Sequence, residues 1–121
     1  DRVIAAMKPG VTVAQLQDVA EAVYTKHGFR QQFLALNRYV GHHVGLSVHD
    51  VLSDAPKDTP LQPGVVFNVE PIIEFRDRKI HMRLEDTILI TASGAENLTA
   101  GVPADLEAVY ALVKQKGIGV E

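Results

Sequence analysis

The sequence predicts an α+β domain. Three observations lead there. Apolar residues recur at helical spacing near the start, apolar and polar residues alternate from about residue 44, and a further helical stripe lies near the end. The expected sheet is antiparallel, with helices on its apolar face.

Arg2 to Met7 form a short apolar run closed by Pro9-Gly10. Thr12, with Gln15 three residues later, fits a capping box, in which each side chain satisfies the other residue's free backbone N–H. Leu16, Ala20, Val23 and Tyr24 then fall on one helical face, and Gly28 stops that helix. Gln31 to Val40 is open to either helix or strand. Val44, Leu46 and Val48 alternate with Gly45, Ser47 and His49, as in a strand running to Asp50. Pro56, Pro60 and Pro63 make Asp50 to Gly64 a loop. Val65 to Glu70 is a strand ended by Pro71. Ile72 to Phe75 and Lys79 to Thr91 follow as strands joined through Arg76-Asp77-Arg78, and Ser93-Gly94 marks a turn. A closing helix begins near Pro103, carries Leu106, Val109, Tyr110 and Val113, and stops at Gly117.

Composition narrows the function. Of 121 residues, 46% are apolar and 22% charged, as in an ordinary globular domain. Twelve basic against fifteen acidic residues give a net charge of −3, with no Lys/Arg cluster dense enough to neutralise several phosphates, so nucleic acid is not the expected partner. No apolar run approaches the ~18 residues of a membrane span. The absence of cysteine removes disulfides, thiolate metal sites and cysteine nucleophiles, so any metal must be held by histidine and carboxylate oxygen. A cysteine-free chain works in either redox setting, so composition leaves the compartment unknown, with the cytoplasm favoured.

Period-2 alternation places the chemistry. In Val65 to Glu70, Val65, Phe67 and Val69 share one face, and Val66, Asn68 and Glu70 the other. In Lys79 to Thr87, Ile80, Met82 and Leu84 share one face, and His81, Arg83, Glu85 and Thr87 the other. If the two strands are neighbours, Glu70 and Glu85 converge. Adjacent carboxylates repel unless a proton or cation lies between them. With His42 they make a His/Glu/Glu set suited to Mn²⁺, Co²⁺ or Zn²⁺, although an alternating polar face is more often simply solvated. Among the other histidines, His27 suits the C-terminal end of a helix dipole. His42 and His43 point to opposite sides of a strand. His81 shares a face with Glu85 and is a candidate to support the ligands from behind. His42 and His49 are an odd number of residues apart, so both reach one site only if His42 lies at or before the strand start or the strand bends at Gly45.

Gly41-His42-His43-Val44-Gly45-Leu46-Ser47-Val48-His49-Asp50 resembles the GHxxGxxxHE/D segment of the pita-bread (M24-type) metallopeptidases, which include Xaa-Pro aminopeptidases, prolidases and methionine aminopeptidases. Leu61-Gln62-Pro63-Gly64-Val65-Val66-Phe67-Asn68-Val69-Glu70-Pro71 is similar to their LxPGMVFTVEP strand. Arg83-Leu84-Glu85-Asp86-Thr87, followed by Gly94-Ala95-Glu96-Asn97-Leu98-Thr99, resembles their closing RxEDT…GxExLT, and Pro9-Gly10-Val11-Thr12 a turn between two of their helices. The motifs fall in the family's order across nearly the whole chain, and their wording is closest to the Xaa-Pro branch.

The resemblance implies a partial pita-bread fold, an antiparallel curved sheet with helices on one face, and metal-dependent hydrolysis of the peptide bond before proline, the substrate being a peptide with proline at its second position. It implies His42, Glu70 and Glu85 as metal ligands, Glu70 also as general base or proton shuttle, and His49 as the catalytic histidine that contacts the scissile peptide. Arg83 would orient a ligand carboxylate from outside the ligand set, and His81 is a further residue of that outer kind. Two divalent ions (Mn, Co or Zn) are implied for the complete site, whose remaining ligands are two aspartates on a hairpin N-terminal to these elements. Asp1 and Asp18 fall in or beside helices and do not fill that role. The expectation is therefore that residues 1–121 form the C-terminal portion of the catalytic domain, supply three of five ligands, hold at most one ion weakly and are inactive alone. A homo-oligomer, or pairing with the N-terminal part, is the expected way to cover the sheet edge so left.

Two departures bear on specificity: Arg38 stands where many Xaa-Pro relatives have a histidine, and the Glu70–Glu85 connection is short. The alternatives are a non-catalytic peptide- or protein-binding module of the same fold, and a methionine aminopeptidase-like enzyme. A metal-free hydrolase of the creatinase kind is more distant, because that branch does not keep the ligand set.

Overall fold

The computed structural model describes residues 1–50, 55–115 and 117. Helices α1 (Arg2–Ala6), α2 (Val13–Lys26) and α3 (Arg30–Ala35) come first. Strands β1 (Gly41–Val44), β2 (Val66–Val69), β3 (Ile72–Phe75), β4 (Ile80–Arg83), β5 (Asp86–Ile90) and β6 (Ala95–Asn97) follow, and α4 (Leu106–Val113) ends the described order. The class is α+β.

The capping box forms as the sequence predicts: Gln15 N–H donates to Thr12 Oγ1, and Thr12 N–H donates to Gln15 Oε1. Beyond it, Val13, Leu16 and Ala20 are the buried face of α2. They pack with Val3 and Met7 from the α1 segment, with Phe33 of α3, and with Phe67, Val69, Ile88 and Ile90 from the strands. Leu16, Ile88 and Ile90 are completely shielded from solvent. Burying such aliphatic side chains stabilises the fold by about 1.5–3 kcal/mol each.

The strands form two units. A four-stranded antiparallel sheet runs in the order β1-β2-β5-β6, and β3 and β4 make a separate two-stranded ribbon. In the sheet Phe67 stands opposite Ile88 and His43, all on the core face. Asn68 stands opposite His42 and Thr87 on the other. The ribbon is tied to the helices by the Tyr24 hydroxyl, which donates to the Ile72 carbonyl at 2.8 Å, and by an edge-to-face contact of Phe29 with Phe75.

Three sequence expectations are revised, and one segment left open is resolved. The strand expected over Val44 to Asp50 instead covers Gly41–Val44, and Leu46 beyond it is fully exposed. The chain folds back there: Gly45 N–H donates to the Ser47 carbonyl, and Asp50 N–H to the His43 carbonyl. A Cβ at Gly45 would lie 2.3 Å from Asp50 Oδ2, so a larger residue there would displace the Asp50 side chain. Lys79 to Thr91 is two strands in two different sheets, with Met82 and Leu84 exposed where an apolar packing face was expected. Gln31 to Val40 divides into α3 and a left-handed pair, Asn37 and Arg38. The closing helix starts at Leu106, capped by Asp105, and its last residue is Val113, short of Gly117. Part of the proline-containing loop, residues 51–54, lies outside the described residues.

Candidate metal centre

Three side chains converge at one end of the sheet. His42 comes from β1, Glu70 follows the last residue of β2, and Glu85 precedes the first residue of β5. One ligand atom from each lies within 4.8 Å of the other two. His42 Nε2 is 3.8 Å from Glu70 Oε2 and 3.8 Å from Glu85 Oε1. Two ligands bound ~2.1 Å from a common ion stand about 3–3.5 Å apart, so the spacing is close to coordinating geometry. The donor set fits an ion that accepts one imidazole nitrogen and carboxylate oxygens.

Local backbone explains the convergence. Gly41 has φ +145°, and a Cβ there would stand 1.8 Å from the Asn68 carbonyl oxygen. Only glycine lets β1 approach β2 this closely, and that approach presents the next residue, His42, to the carboxylates. His42 and Glu70 are almost wholly buried, whereas the Glu85 side chain is about a third exposed. The contact of His42 Nδ1 with the His43 carbonyl at 3.1 Å requires the proton on Nδ1, because a carbonyl only accepts. Nε2 then faces the carboxylates.

Each carboxylate has its own supports. Arg83 donates to Glu70 Oε1 at 2.7 Å, and the Tyr39 hydroxyl donates to Glu70 Oε2. Burial, then the Glu70 hydrogen bond, hold the Tyr39 phenol well above its usual titration range. Asn68 Nδ2 donates to Glu85 Oε1 at 2.5 Å, while its buried Oδ1 has no hydrogen-bond partner among the described residues. His49 is brought back by the Gly45 turn, its ring centroid 4.3 Å from that of His42. A cavity of about 260 Å³ opens beside the pair, lined by Gln17, Tyr39, His42, His49 and Lys57 among others. His43, on the opposite face, stands edge-on to Phe67; burial and then the Lys57 ammonium hold its imidazole below the usual histidine range.

Of the residues singled out in the sequence, His42, Glu70, Glu85, Arg83 and His49 meet. His81 does not. It lies opposite Glu74 in the ribbon, 3.9 Å from that carboxylate and half-exposed, because β4 belongs to a different sheet from β5. Asp18 pairs with Arg38 at 2.5 Å and stays on α2. Sequence reasoning missed Tyr39 and Asn68 as supports. Asn68 was within reach of it, being two residues before Glu70 on one strand face; Tyr39 follows two left-handed residues that periodicity does not register.

Comparisons with known proteins identify relatives of this chain. The model of metallopeptidase family M24 matches residues 1–92. The Xaa-Pro dipeptidase of Pyrococcus furiosus is 35% identical over 99 residues, covering 81% of this chain and 27% of the relative. Xaa-Pro aminopeptidase 1 of Streptomyces coelicolor is 32% identical over 127 residues, covering 83% and 26%. Among solved structures, the prolidase from Pyrococcus furiosus superposes with a TM-score of 0.69 at 35% identity, covering 81% of this chain and 28% of that one. The X-Pro aminopeptidase from Thermotoga maritima gives 0.71 at 31%, covering 86% and 28%. The chain thus spans about a quarter of the length of the relatives it matches. No helix among the described residues is long and apolar enough to cross a membrane. With the family's model matched from Asp1 through α1, α2 and all but the last strand, the chain belongs to metallopeptidase family M24, and its α+β architecture is part of that family's pita-bread fold.

Proposed function

We propose that residues 1–121 take part in metal-dependent hydrolysis of the peptide bond preceding proline, as a portion of an Xaa-Pro aminopeptidase or dipeptidase catalytic domain. The observation that carries this reading is the convergence of His42, Glu70 and Glu85 from three strand ends, with one buried imidazole nitrogen 3.8 Å from both carboxylates. The names of the relatives supply the substrate class. Three donors suffice for one ion, so a dinuclear site needs further oxygens, and the two implied aspartates are their proposed source.

A divalent ion bound here would supply Lewis acidity, polarising the scissile carbonyl and making water acidic enough to attack near neutral pH. The chain's own residues do the rest. Glu70, oriented by Arg83, takes the proton of the attacking water and passes it to the leaving amine. His49 faces the cavity beside His42 and steadies the carbonyl oxygen as charge develops on it. A purely non-catalytic module has no use for this set, because two carboxylates gathered around a buried histidine without a cation cost stability.

Calorimetric titration with Mn²⁺ tests the reading. The chain is expected to bind one ion, and Glu85→Ala to lose that binding while His81→Ala keeps it. Equal binding by Glu85→Ala and the parent chain would remove Glu85 from the centre.

A further inference from the structure

Glu70 is a buried carboxylate with both oxygens engaged. Arg83 holds Oε1, and the Tyr39 hydroxyl donates to Oε2, the oxygen 3.8 Å from His42 Nε2. The terminal torsion of a glutamate is broad, so a single contact leaves the carboxylate able to pivot. A second donor on the other oxygen removes that freedom.

Tyr39 is itself held firmly. It follows Asn37 and Arg38, both left-handed at φ 54° and 56°, a conformation that non-glycine residues keep only when their surroundings enforce it. The enforcement is visible. Arg38 pairs with Asp18 and Glu21 of α2, and its carbonyl accepts from Gln17 Nε2 at 2.9 Å. One turn-and-a-half of α2 thus anchors a strained segment whose next residue places a hydroxyl on Glu70. Tyr39 also lines the cavity shared by His42 and His49, so it borders the site.

We propose that Tyr39 is a positioning residue of the metal centre, its hydroxyl setting the rotation of the Glu70 carboxylate so that Oε2 is presented toward His42 and Glu85. The inference rests on the metal-centre reading above. It assigns to α2, through Arg38, a part in shaping the ligand set.

The test is Tyr39→Phe in the 121-residue chain, which keeps the ring and removes the hydroxyl alone. Mn²⁺ affinity by calorimetry is expected to fall about ten- to a hundredfold, the usual effect of removing a group that orients a ligand. The visible absorption of the Co²⁺-loaded chain is expected to change in band position or intensity, because ligand geometry changes. In a Glu70→Ala background, adding Tyr39→Phe is expected to cause no further loss. Parent-like affinity and Co²⁺ spectrum in Tyr39→Phe overturn the proposal, even if its urea midpoint falls, since that result makes the hydroxyl purely structural. Tighter binding also overturns it, by showing that the hydroxyl competes with the ion. Failure of the parent chain to bind either ion overturns the metal-centre reading instead, so the two failures are distinguishable.

Discussion

Glu70 and Glu85 each stand one residue outside the last rung of the β2–β5 ladder, where Val69 faces Asp86. Both reach 3.8 Å from the same nitrogen of His42. The pair is therefore assembled by strand register. A one-residue slip between β2 and β5 would send one of the two carboxylates to the opposite face.

The first prediction concerns binding and stability together. An ion that binds the folded chain and not the unfolded one stabilises it by mass action, about 2.7 kcal/mol at a hundred times its Kd. Thermal unfolding in excess Mn²⁺ is expected to shift upward for the parent chain and not for Glu85→Ala. An equal shift in both places the ion elsewhere.

Activity is expected to be absent or very low in the purified, metal-loaded 121-residue chain assayed on Xaa-Pro peptides. The described residues offer three ligands for one ion, and a two-ion clamp on the attacking and departing groups needs more. Robust turnover would show that three ligands are enough.

Gly41→Ala is expected to be severe. The new methyl would meet the Asn68 carbonyl at 1.8 Å, on a backbone with φ +145°. Separation of β1 from β2 follows, with a loss of about 3 kcal/mol or more in chemical denaturation. Metal affinity is expected to fall as well, since His42 moves with β1. A parent-like urea midpoint would contradict the close approach.

Thr12→Ala breaks the capping box of α2 without touching the site. The expected cost is about 1 kcal/mol in urea unfolding, with Mn²⁺ affinity unchanged once the chain is folded. Loss of affinity in the folded variant would mean that α2 controls the ligands more directly than through Arg38.

Much of this was legible in the sequence, for reasons that differ by element. The Thr12–Gln15 cap and the 3.6-residue stripe of α2 are local signals and form as expected. Phe67 and Val69 obey period 2 because β2 packs that face on the core. The meeting of Glu70, Glu85 and His42 was legible through motif resemblance, since alternation alone does not say which strands are neighbours. His81 went astray because the alternation of Lys79 to Thr87 was carried across Leu84-Glu85, where the chain leaves one sheet for another. The strand over Val44 to Asp50 failed similarly: its apolar residues alternate, but Gly45 turns the chain and leaves Leu46 in solvent. That turn resolves the odd spacing of His42 and His49, which meet as neighbours across a reversal.

The β3–β4 ribbon leaves the sheet immediately after Glu70 and returns immediately before Glu85. Both carboxylates are thus hinge posts of one excursion, and Arg83, on its returning arm, is the strut between arm and post. Residues grafted at the tip, around Arg76–Arg78, would lengthen the arm without re-threading the strands that carry the two carboxylates. The ribbon can thus vary in length while the register that sets the two carboxylates stays as it is.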